Sequence, residues 1–154
     1  MGKKLNNLKY LFKNLNILIY KKMSLQLKRN DQETVINIAR DFVMFYYTIL
    51  NNKNFDEIKQ HLRDYTIFSS QKVRYRGTEI LTYFNKLHTL DVVFTDIDFD
   101  TLHAGARRIN VLVSCKITYN ENGIKVTKNF TEYIHFGSDN DGKMWIQMSM
   151  MKIF

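Results

Sequence analysis

Cysteine is almost absent from the sequence, which has 154 residues and a single cysteine, Cys115. One cysteine excludes an intrachain disulfide and favours a reducing compartment. Because Cys115 falls within an alternating apolar pattern, we interpret it as a small core residue. Long apolar runs are also lacking, and none approaches the roughly 20 residues that a membrane-spanning helix requires. We therefore expect no transmembrane segment.

The sequence also lacks the spacings that mark common catalytic and metal sites. No glycine-rich phosphate loop is present, and no histidines, cysteines or acids stand at metal-ligand spacing. The candidate acid–base residues form no recognisable catalytic pattern; they are His61, His88, His103, His135, Tyr46, Tyr75 and Asp64. Three aspartates share one strand face (Asp96, Asp98, Asp100), and we interpret that face as solvated. The sequence thus predicts no catalytic residue, no metal, no cofactor and no enzymatic activity.

Acidic residues are missing from the first 30 positions, which carry eight lysines and arginines. Residues 31–154 hold 15 basic and 15 acidic residues, so the net charge of +8 lies in the N-terminal segment. A neutral folded part gives little support for direct nucleic-acid binding by the domain.

We divide the chain into an N-terminal extension, residues 1–30, and one domain, residues 31–154, a size that suits a single core. Apolar residues of the extension recur at helical spacing with lysines between them, which is typical of a short amphipathic helix. Three interpretations of the extension remain open: a targeting presequence, a basic helix that binds a surface, and a segment without function.

Helical periodicity begins at Asp31, which we interpret as the cap of a long helix. Apolar residues then recur at steps of three and four, and they are Val35, Ile38, Phe42, Tyr46 and Ile49. The helix is expected to stop within residues 51–54. A short helix over residues 55–62 and a third helix from Gly77 are also predicted.

Strand periodicity dominates the second half of the chain. Alternation from Ile109 predicts a strand, and the Asn122-Gly123 pair predicts a tight hairpin because both residues tolerate positive φ. The return strand covers residues 124–136 and the last strand residues 143–154. An earlier strand over residues 92–102 is expected to bury Val93, Ile97 and Phe99. A small hairpin is predicted within residues 64–76.

The last strand is unusual because both of its faces are apolar. We expect Trp145, Met151 and Ile153 on one face. The other face is predicted to bind a protein partner, with Lys152 at its rim, and comprises Ile146, Met148, Met150, Lys152 and Phe154. Large apolar side chains left in water forfeit about 1.5–3 kcal/mol each, so this face needs a cover. Either the N-terminal helix or a second protein subunit could supply it, and we favour the subunit.

The element order is helix, helix, strand, strand, helix and four strands. The arrangement that buries this pattern is an α+β fold, in which a strongly curved antiparallel sheet wraps around the long first helix to give a cone-shaped domain.

Residues 42–48, with the adjacent Tyr46 and Tyr47, resemble the first helix of the nuclear transport factor 2-like superfamily. Later motifs follow in the order expected of that superfamily: residues 75–77 before the third helix, residues 129–133 in the penultimate strand, and Trp145 in the last strand. The resemblance covers residues 33–154. It implies the cone-shaped fold, which serves carriers, adaptors and enzymes.

Two transport branches of the superfamily are similar to this chain. The first is the small subunit of the mRNA-export heterodimer, which pairs with the like-folded domain of a larger receptor. The second is the homodimeric importer of Ran-GDP. Ser69, Tyr119 and Lys152 stand where the importer pocket has acids and aromatics, so Ran-GDP is expected to bind weakly or not at all.

The resemblance therefore favours a non-enzymatic adaptor in nucleocytoplasmic transport, the small subunit of an export complex. It implies shuttling between nucleus and cytoplasm through the nuclear pore and contact with nucleoporins through the complex. The alternatives are a homodimeric Ran-GDP carrier and an isomerase- or dehydratase-type enzyme that uses the conical cavity.

Overall fold

The computed structural model describes residues 32–103, 105, 107–139 and 143–154, with the side chain of His103 left outside the description. The predictions for residues 1–30 and for the capping role of Asp31 lie outside the described residues.

Among the described residues, three α-helices follow the periodicity that predicts them: α1 Gln32–Asn52, α2 Phe55–Lys59 and α3 Ile80–Thr89. A single 3-10 turn, Gly77–Glu79, leads into α3. The long α1 ends inside the predicted asparagine-rich stretch, where Lys53 has a positive φ of 56° that a helix does not accommodate.

Six strands form one curved, unclosed sheet, and the predicted α+β class is confirmed. The strands are β1 Ile67–Ser70, β2 Val73–Arg76, β3 Val93–His103, β4 Arg108–Glu121, β5 Ile124–Ser138 and β6 Met144–Ile153. Their order across the sheet is β2-β1-β6-β5-β4-β3. The pair β1–β6 is parallel, in contrast to the other neighbours, and the long stretch of chain between these two strands permits that arrangement.

The β4–β5 hairpin is the most regular part of the sheet. Its pairing runs without a shift from Arg108 opposite Gly137 to Glu121 opposite Ile124. The two turn residues, Asn122 and Gly123, have φ values of 52° and 82°, as the Asn-Gly signal predicts.

Helix α1 packs on the inner face of the sheet. The ring of Phe42 stacks on Phe136 with centroids 3.9 Å apart, and Tyr47 meets the ring of Phe94 edge-on at 5.2 Å. The Asn51 side chain accepts from the Phe94 amide (2.8 Å) and donates to its carbonyl (2.9 Å). These contacts hold α1 against β3 and β5.

Two register shifts change which side chains face the core. In β3 the shift lies between Thr95 and Asp98, and Asp96 has a φ of 53°. An extra residue reverses the alternation of side chains. Val93, predicted to be buried, is therefore 39% exposed, and its neighbour Phe94 is buried instead.

The second shift lies in β6, where the consecutive residues His135 and Phe136 pair with Met148 and Ile146. Gln147 is the extra residue, so the residues on either side of it follow opposite phases. The prediction that Ile146 shares a face with Met148 and Met150 is wrong, since Ile146 is 1% exposed and lies in the core. The prediction that Trp145 and Met151 share a face is also wrong, because Met151 is buried opposite Glu132, whereas Trp145 pairs with Gly137 in the other phase of β5.

Within the described residues, no helix combines the length and the hydropathy needed to cross a membrane.

Candidate functional sites on the two faces of the sheet

The outer face is the side of the sheet turned away from α1. Strand register aligns its side chains in rows across the strands, and the central row consists of Ser69, Met150, Tyr133, Leu112 and Asp100. The neighbouring row consists of Ile67, Met148, His135, Asn110 and Leu102. Apolar residues from β1, β3, β4, β5 and β6 thereby come together on one surface.

Much of this surface is open to solvent. Met150 is 46% exposed, Leu112 42% and Leu102 56%, and the C-terminal Phe154 is 62% exposed. Contiguous apolar patches on a domain surface commonly mark interaction sites.

Four of the five predicted partner-binding residues occupy the outer face. Met148 is half-buried and Met150 is exposed, while the Lys152 ammonium lies 4.7 Å from the centroid of the Phe154 ring. Ile146 is separated from them in the core. The role of these residues in partner binding remains a prediction.

Sequence reasoning missed Tyr133, Leu112 and Leu102 as members of the same surface. Each alternates with residues of the buried phase, and alternation alone does not link these three residues to the apolar face of the last strand. Only the register between strands places Tyr133 opposite both Met150 and Leu112. The available signal was the presence of large apolar residues at outward positions of three strands. Alternation within one strand does not show that residues of different strands lie side by side.

Charges of opposite sign occupy opposite ends of the outer face. The acidic end is on β3, where Asp98 and Asp100 pair with the outward Ser114 and Leu112. The basic end is on β2, where Arg74 and Arg76 pair with the outward Ser69 and Ile67 of β1. All four charged side chains are exposed.

Two further outer-face contacts involve ionisable groups. Lys116 on β4 reaches Asp96 across a 2.9 Å ion pair. The Nδ1 atom of His135 lies 2.5 Å from the Asn110 side-chain oxygen. Burial, with a smaller contribution from Arg108, lowers the pKa of His135, so this ring is neutral at pH 7 and adds no charge to the centre of the face.

The inner face carries a buried carboxyl group, Glu132 on β5, that is 1% exposed. Its Oε1 atom accepts hydrogen bonds from Tyr46 (2.9 Å) and Ser149 (2.5 Å), and its Oε2 atom accepts one from Tyr47 (2.6 Å). We call these four residues the Glu132 cluster. Helix α1 supplies both tyrosines, and the altered phase of β6 turns Ser149 inward.

Burial governs the electrostatics of the Glu132 cluster. It raises the pKa of Glu132, and the hydrogen bonds from Ser149, Tyr47 and Tyr46 oppose that rise. Burial and the adjacent carboxyl group raise the pKa of both tyrosines well above the usual range, so the phenols remain protonated donors. A carboxyl group with a raised pKa beside phenolic donors is chemically able to transfer a proton.

Sequence reasoning weighed Tyr46 but not Glu132. The signal was available, because Glu132 stands at an inward position between Phe130 and Ile134, both buried. A charged residue in that phase needs hydrogen-bonding partners from another element, and the paired tyrosines of α1 supply them.

The other weighed acid–base residues are dispersed. His61 is buried, and its Nδ1 atom donates to the Met144 carbonyl at 3.1 Å. Burial lowers the pKa of His61 to about 4. His88 and Asp64 are exposed, and the Tyr75 hydroxyl accepts a hydrogen bond from Lys86. Among the described residues, no three metal-ligating side chains come together.

No protein-family model and no curated protein matches the sequence. Solved structures do match the fold. A ketosteroid isomerase-like protein from Erwinia carotovora atroseptica superposes with a TM-score of 0.67 at 14% identity, covering 81% of this chain and 98% of that protein. Nuclear transport factor 2 from Cryptosporidium parvum gives 0.64 at 15% identity, covering 78% and 94%. LinA gives 0.62 at 10% identity, covering 70% and 78%.

The chain therefore has the nuclear transport factor 2-like fold, as the sequence motifs predict. The prediction that the protein is not an enzyme is wrong as an inference from this fold. Proteins named as enzymes, among them a hexachlorocyclohexane dehydrochlorinase, share the fold with the transport factor. At these identities the fold admits both kinds of function.

Proposed function

We propose that the protein is an adaptor in nucleocytoplasmic transport whose outer sheet face pairs with a like-folded protein domain. The observation that carries this proposal is the apolar surface formed by the exposed Met150, Leu112 and Leu102 together with the half-buried Tyr133. A sheet face of this kind is expected to be covered in the working protein, because exposed apolar area costs about 25 cal/mol per Å².

The composition of the face suits protein recognition. Methionine side chains are flexible and polarizable, and they adapt to the shape of a partner. Tyr133 and Phe154 supply aromatic area of the kind that dominates interface energetics. Asp98 and Asp100 lie at one end of the face and Arg74 and Arg76 at the other, as expected for a polar rim.

The transport context of the proposal is supported by the paired tyrosines of α1 and by the fold shared with nuclear transport factor 2. Shuttling through the nuclear pore and contact with nucleoporins through the complex are parts of the same proposal. The sequence-based first choice of partner is the like-folded domain of a larger mRNA-export receptor, and the alternative is a second copy of this chain. Both choices use the outer face.

Substitution of Met150 by Asp tests the proposal, with Ile124→Asp as the matched control. Both residues are exposed and apolar, but Ile124 lies at the tip of the β4–β5 hairpin. We expect Met150→Asp to lower the mass of the native complex and to slow entry of the labelled protein into nuclei of permeabilised cells. An unchanged complex and unchanged entry would overturn the proposal.

The Glu132 cluster supports a second candidate function, proton transfer on a small molecule. Isomerisation and dehydrochlorination, the reactions named for proteins of this fold, both move a proton from carbon. Glu132 would accept that proton, while Tyr46 or Tyr47 would donate a hydrogen bond to the developing negative charge. Loss of turnover in Glu132→Gln, with the fold retained, is the expected result, and unchanged turnover would exclude this role.

A further inference from the structure

Most of β5 lies between two neighbouring strands, but its first part has a neighbour on one side only. Strand β5 pairs with β4 from Ile124 to Gly137, whereas its pairing with β6 begins at Phe130. Among the described strands, β4 alone lies beside residues 124–128. We call the opposite side of residues 124–128 the hairpin edge.

The direction of the backbone groups at Lys125 follows from its partner on β4. In an antiparallel pair, opposite residues alternate between exchanging two hydrogen bonds and exchanging none. The amide of Asn120, which lies opposite Lys125, donates to the Leu90 carbonyl (2.9 Å) and therefore points away from β5. Asn120 and Lys125 are thus a pair without mutual hydrogen bonds, and the N–H and C=O groups of Lys125 point toward the hairpin edge.

The same alternation includes Thr127 and Asn129. The Asn129 carbonyl accepts a hydrogen bond from the Phe154 amide (2.9 Å) on the side away from β4. Thr127 lies two residues from both Lys125 and Asn129, so its N–H and C=O groups point in the same direction. The hairpin edge therefore presents two donors and two acceptors, and no described strand lies there to pair with them.

We propose that the hairpin edge binds an extended acidic segment of another protein, which adds to the sheet as a further strand in line with β6. Hydrogen bonds to the N–H and C=O groups of Lys125 and Thr127 hold the segment, as in other proteins that bind a peptide by adding a strand to a sheet. The edge lies apart from the outer face, so the inference goes beyond the proposed function and does not depend on it.

The charges around the hairpin edge select an acidic occupant. Lys125 and Lys128 are exposed on the segment itself, and Lys152 is exposed at the end of β6. Residues 119–129 contain a single acidic residue, Glu121, beside the turn. Carboxylates of an added strand therefore meet charges of opposite sign, whereas lysines or arginines at the same positions are repelled.

The side chains of the hairpin edge also indicate where an apolar residue fits. Val126 is half-buried and lies opposite the half-buried Tyr119 on the inner side of the sheet. Lys125 and Thr127 point to the outer side, because successive side chains of a strand alternate. An apolar residue opposite Val126 would cover it, and acidic residues on either side would lie beside Lys125 and Thr127. The preferred segment therefore alternates acidic and apolar residues.

The two outermost edges of the sheet are less suited to this pairing. Strand β3 has a register shift between Thr95 and Asp98 and carries the exposed Asp98 and Asp100. Strand β2 has only four residues. Irregularity, charge and shortness hinder the addition of a strand to a sheet edge. The β4–β5 hairpin, in contrast, pairs without a register shift, so its edge matches a regular extended chain.

Other occupants fit the charges less well. Residues 1–30 of this chain carry eight basic residues and no acidic residue, so the lysines of the hairpin edge would repel them. A second copy paired edge to edge would bring the lysines of one copy against those of the other. An acidic segment of a different protein avoids both conflicts.

The full-length chain and two labelled peptides of ten residues provide the first test, with fluorescence anisotropy as the measurement. One peptide repeats Glu-Val five times, and the other repeats Lys-Val five times. The acidic peptide should bind at least about tenfold more tightly than the basic peptide. Its affinity should fall as salt screens the lysines. In the variant Lys125→Glu with Lys128→Glu, the preference should reverse.

Backbone pairing is tested by Thr127→Pro, with Thr127→Val as the matched control. Proline has no N–H, and the N–H of Thr127 is not used in pairing with β4, so the hairpin can accept proline at this position. Thr127→Pro should weaken binding of the acidic peptide at least about tenfold, because one hydrogen bond is lost and the ring obstructs the edge. Thr127→Val keeps the N–H and should bind within about twofold of the wild type.

Amide hydrogen exchange of the wild type supplies a measurement that does not depend on the folding of a variant. At a peptide concentration about tenfold above the dissociation constant, the amides of Lys125 and Thr127 should exchange roughly tenfold more slowly. The amides of Val126 and Lys128 point toward β4 and should change little.

Four outcomes would overturn the proposal. Failure of the acidic peptide to bind, or equal binding of the basic peptide, excludes a segment selected by charge. Slowed exchange that appears away from Lys125 and Thr127 excludes the hairpin edge as the site. Unchanged binding to a folded Thr127→Pro variant excludes backbone pairing. Slow exchange at Lys125 and Thr127 without peptide shows that another occupant covers the edge: a second copy if it depends on protein concentration, and residues 1–30 if it does not.

Discussion

Ile146 and Met150 lie on the same strand, yet their side chains lie on opposite sides of the sheet, one buried and the other exposed to solvent. Ile146 is 1% exposed beneath α1, whereas Met150 is 46% exposed on the outer face. The inner face is covered by α1, and its buried carboxyl group, the only one among the described residues, accepts hydrogen bonds from hydroxyl groups of two elements. The outer face has an apolar centre and charged ends with no covering element among the described residues.

The difference teaches that two apolar faces on one strand need not serve the same purpose. The inner face provides the stability of the domain through burial. The outer face contributes little to that stability in the isolated chain and is available for association. Substitutions on the inner face should therefore change unfolding, and those on the outer face should change assembly.

The largest expected effect is that of Ile146→Asp, with Met150→Asp as its matched control. An unpaired carboxylate at position 146 would be buried and should cost several kcal/mol, comparable with the roughly 5–15 kcal/mol stability of a domain. The same change at position 150 should alter stability by less than about 0.5 kcal/mol. Denaturant unfolding of both variants makes the measurement, and equal destabilisation would place both residues on one face.

A second comparison uses the neighbours Phe94 and Val93 on β3. Phe94→Ala should cost about 3–5 kcal/mol because it removes a buried ring that contacts Tyr47 and Phe130. Val93→Ala removes a side chain that is 39% exposed and should cost far less. A larger loss for Val93→Ala in thermal or denaturant unfolding would contradict the shifted phase of β3.

Acid unfolding should test the burial of His61. Its pKa is lowered from 6.5 to about 4 by burial, so the unfolded chain binds the proton more readily than the native chain. Stability should therefore fall by on the order of 3 kcal/mol as pH drops from 6.5 to 4. The variant His61→Gln should lack this part of the pH dependence, and an identical acid limb in wild type and variant would rule out the assignment.

Glu132→Gln should give the smallest of these effects. The contribution of Glu132 to stability should change with pH in the opposite direction to that of His61. The raised pKa of Glu132 means that the native state holds its proton more tightly, so stability is greatest when Glu132 is protonated. As pH rises from about 4.5 through the native pKa, the wild type should lose stability relative to the variant. The variant also loses hydrogen bonds from the tyrosines, and this loss should lower its free energy of unfolding by roughly 1–3 kcal/mol at every pH.

Denaturant unfolding at several pH values measures the difference between wild type and Glu132→Gln. Tyr133→Phe, a neighbouring change on the outer face, is the control that should leave the pH profile unaltered. An advantage of the wild type that grows as pH rises would show that hydrogen bonding to Glu132 outweighs its burial.

Local sequence patterns were sufficient for the elements of the fold. The steps of three and four from Val35 to Ile49 are realised in α1, and the Asn122-Gly123 turn joins β4 to β5. Along β4 the buried positions alternate without interruption, so the inward residues from Ile109 to Ile117 agree with their pattern. In such segments the local period alone determines which side chains are buried.

The same patterns failed where a strand contains an extra residue. The bulge at Gln147 reverses the alternation of side chains in β6, so that Ile146 lies in the core and Met148 lies on the outer face. Because both phases of β6 are apolar, hydropathy contains no signal that distinguishes a regular strand from a bulged one. The phase is decided by pairing with β5, where His135 and Phe136 determine the register.

The sequence by itself determined the class of the domain, the order of its elements, the hairpin turn and most of the buried residues. Periodicity and turn chemistry act over a few neighbouring residues, and they can therefore be recognised in the amino-acid sequence. Only the tertiary structure decided that Glu132 meets the tyrosines of α1 and that Met150 lies beside Tyr133. It also decided that aspartates and arginines occupy opposite ends of one face. These relations join residues that are distant in sequence. They are established by strand register and packing, only when the sheet packs on the helix.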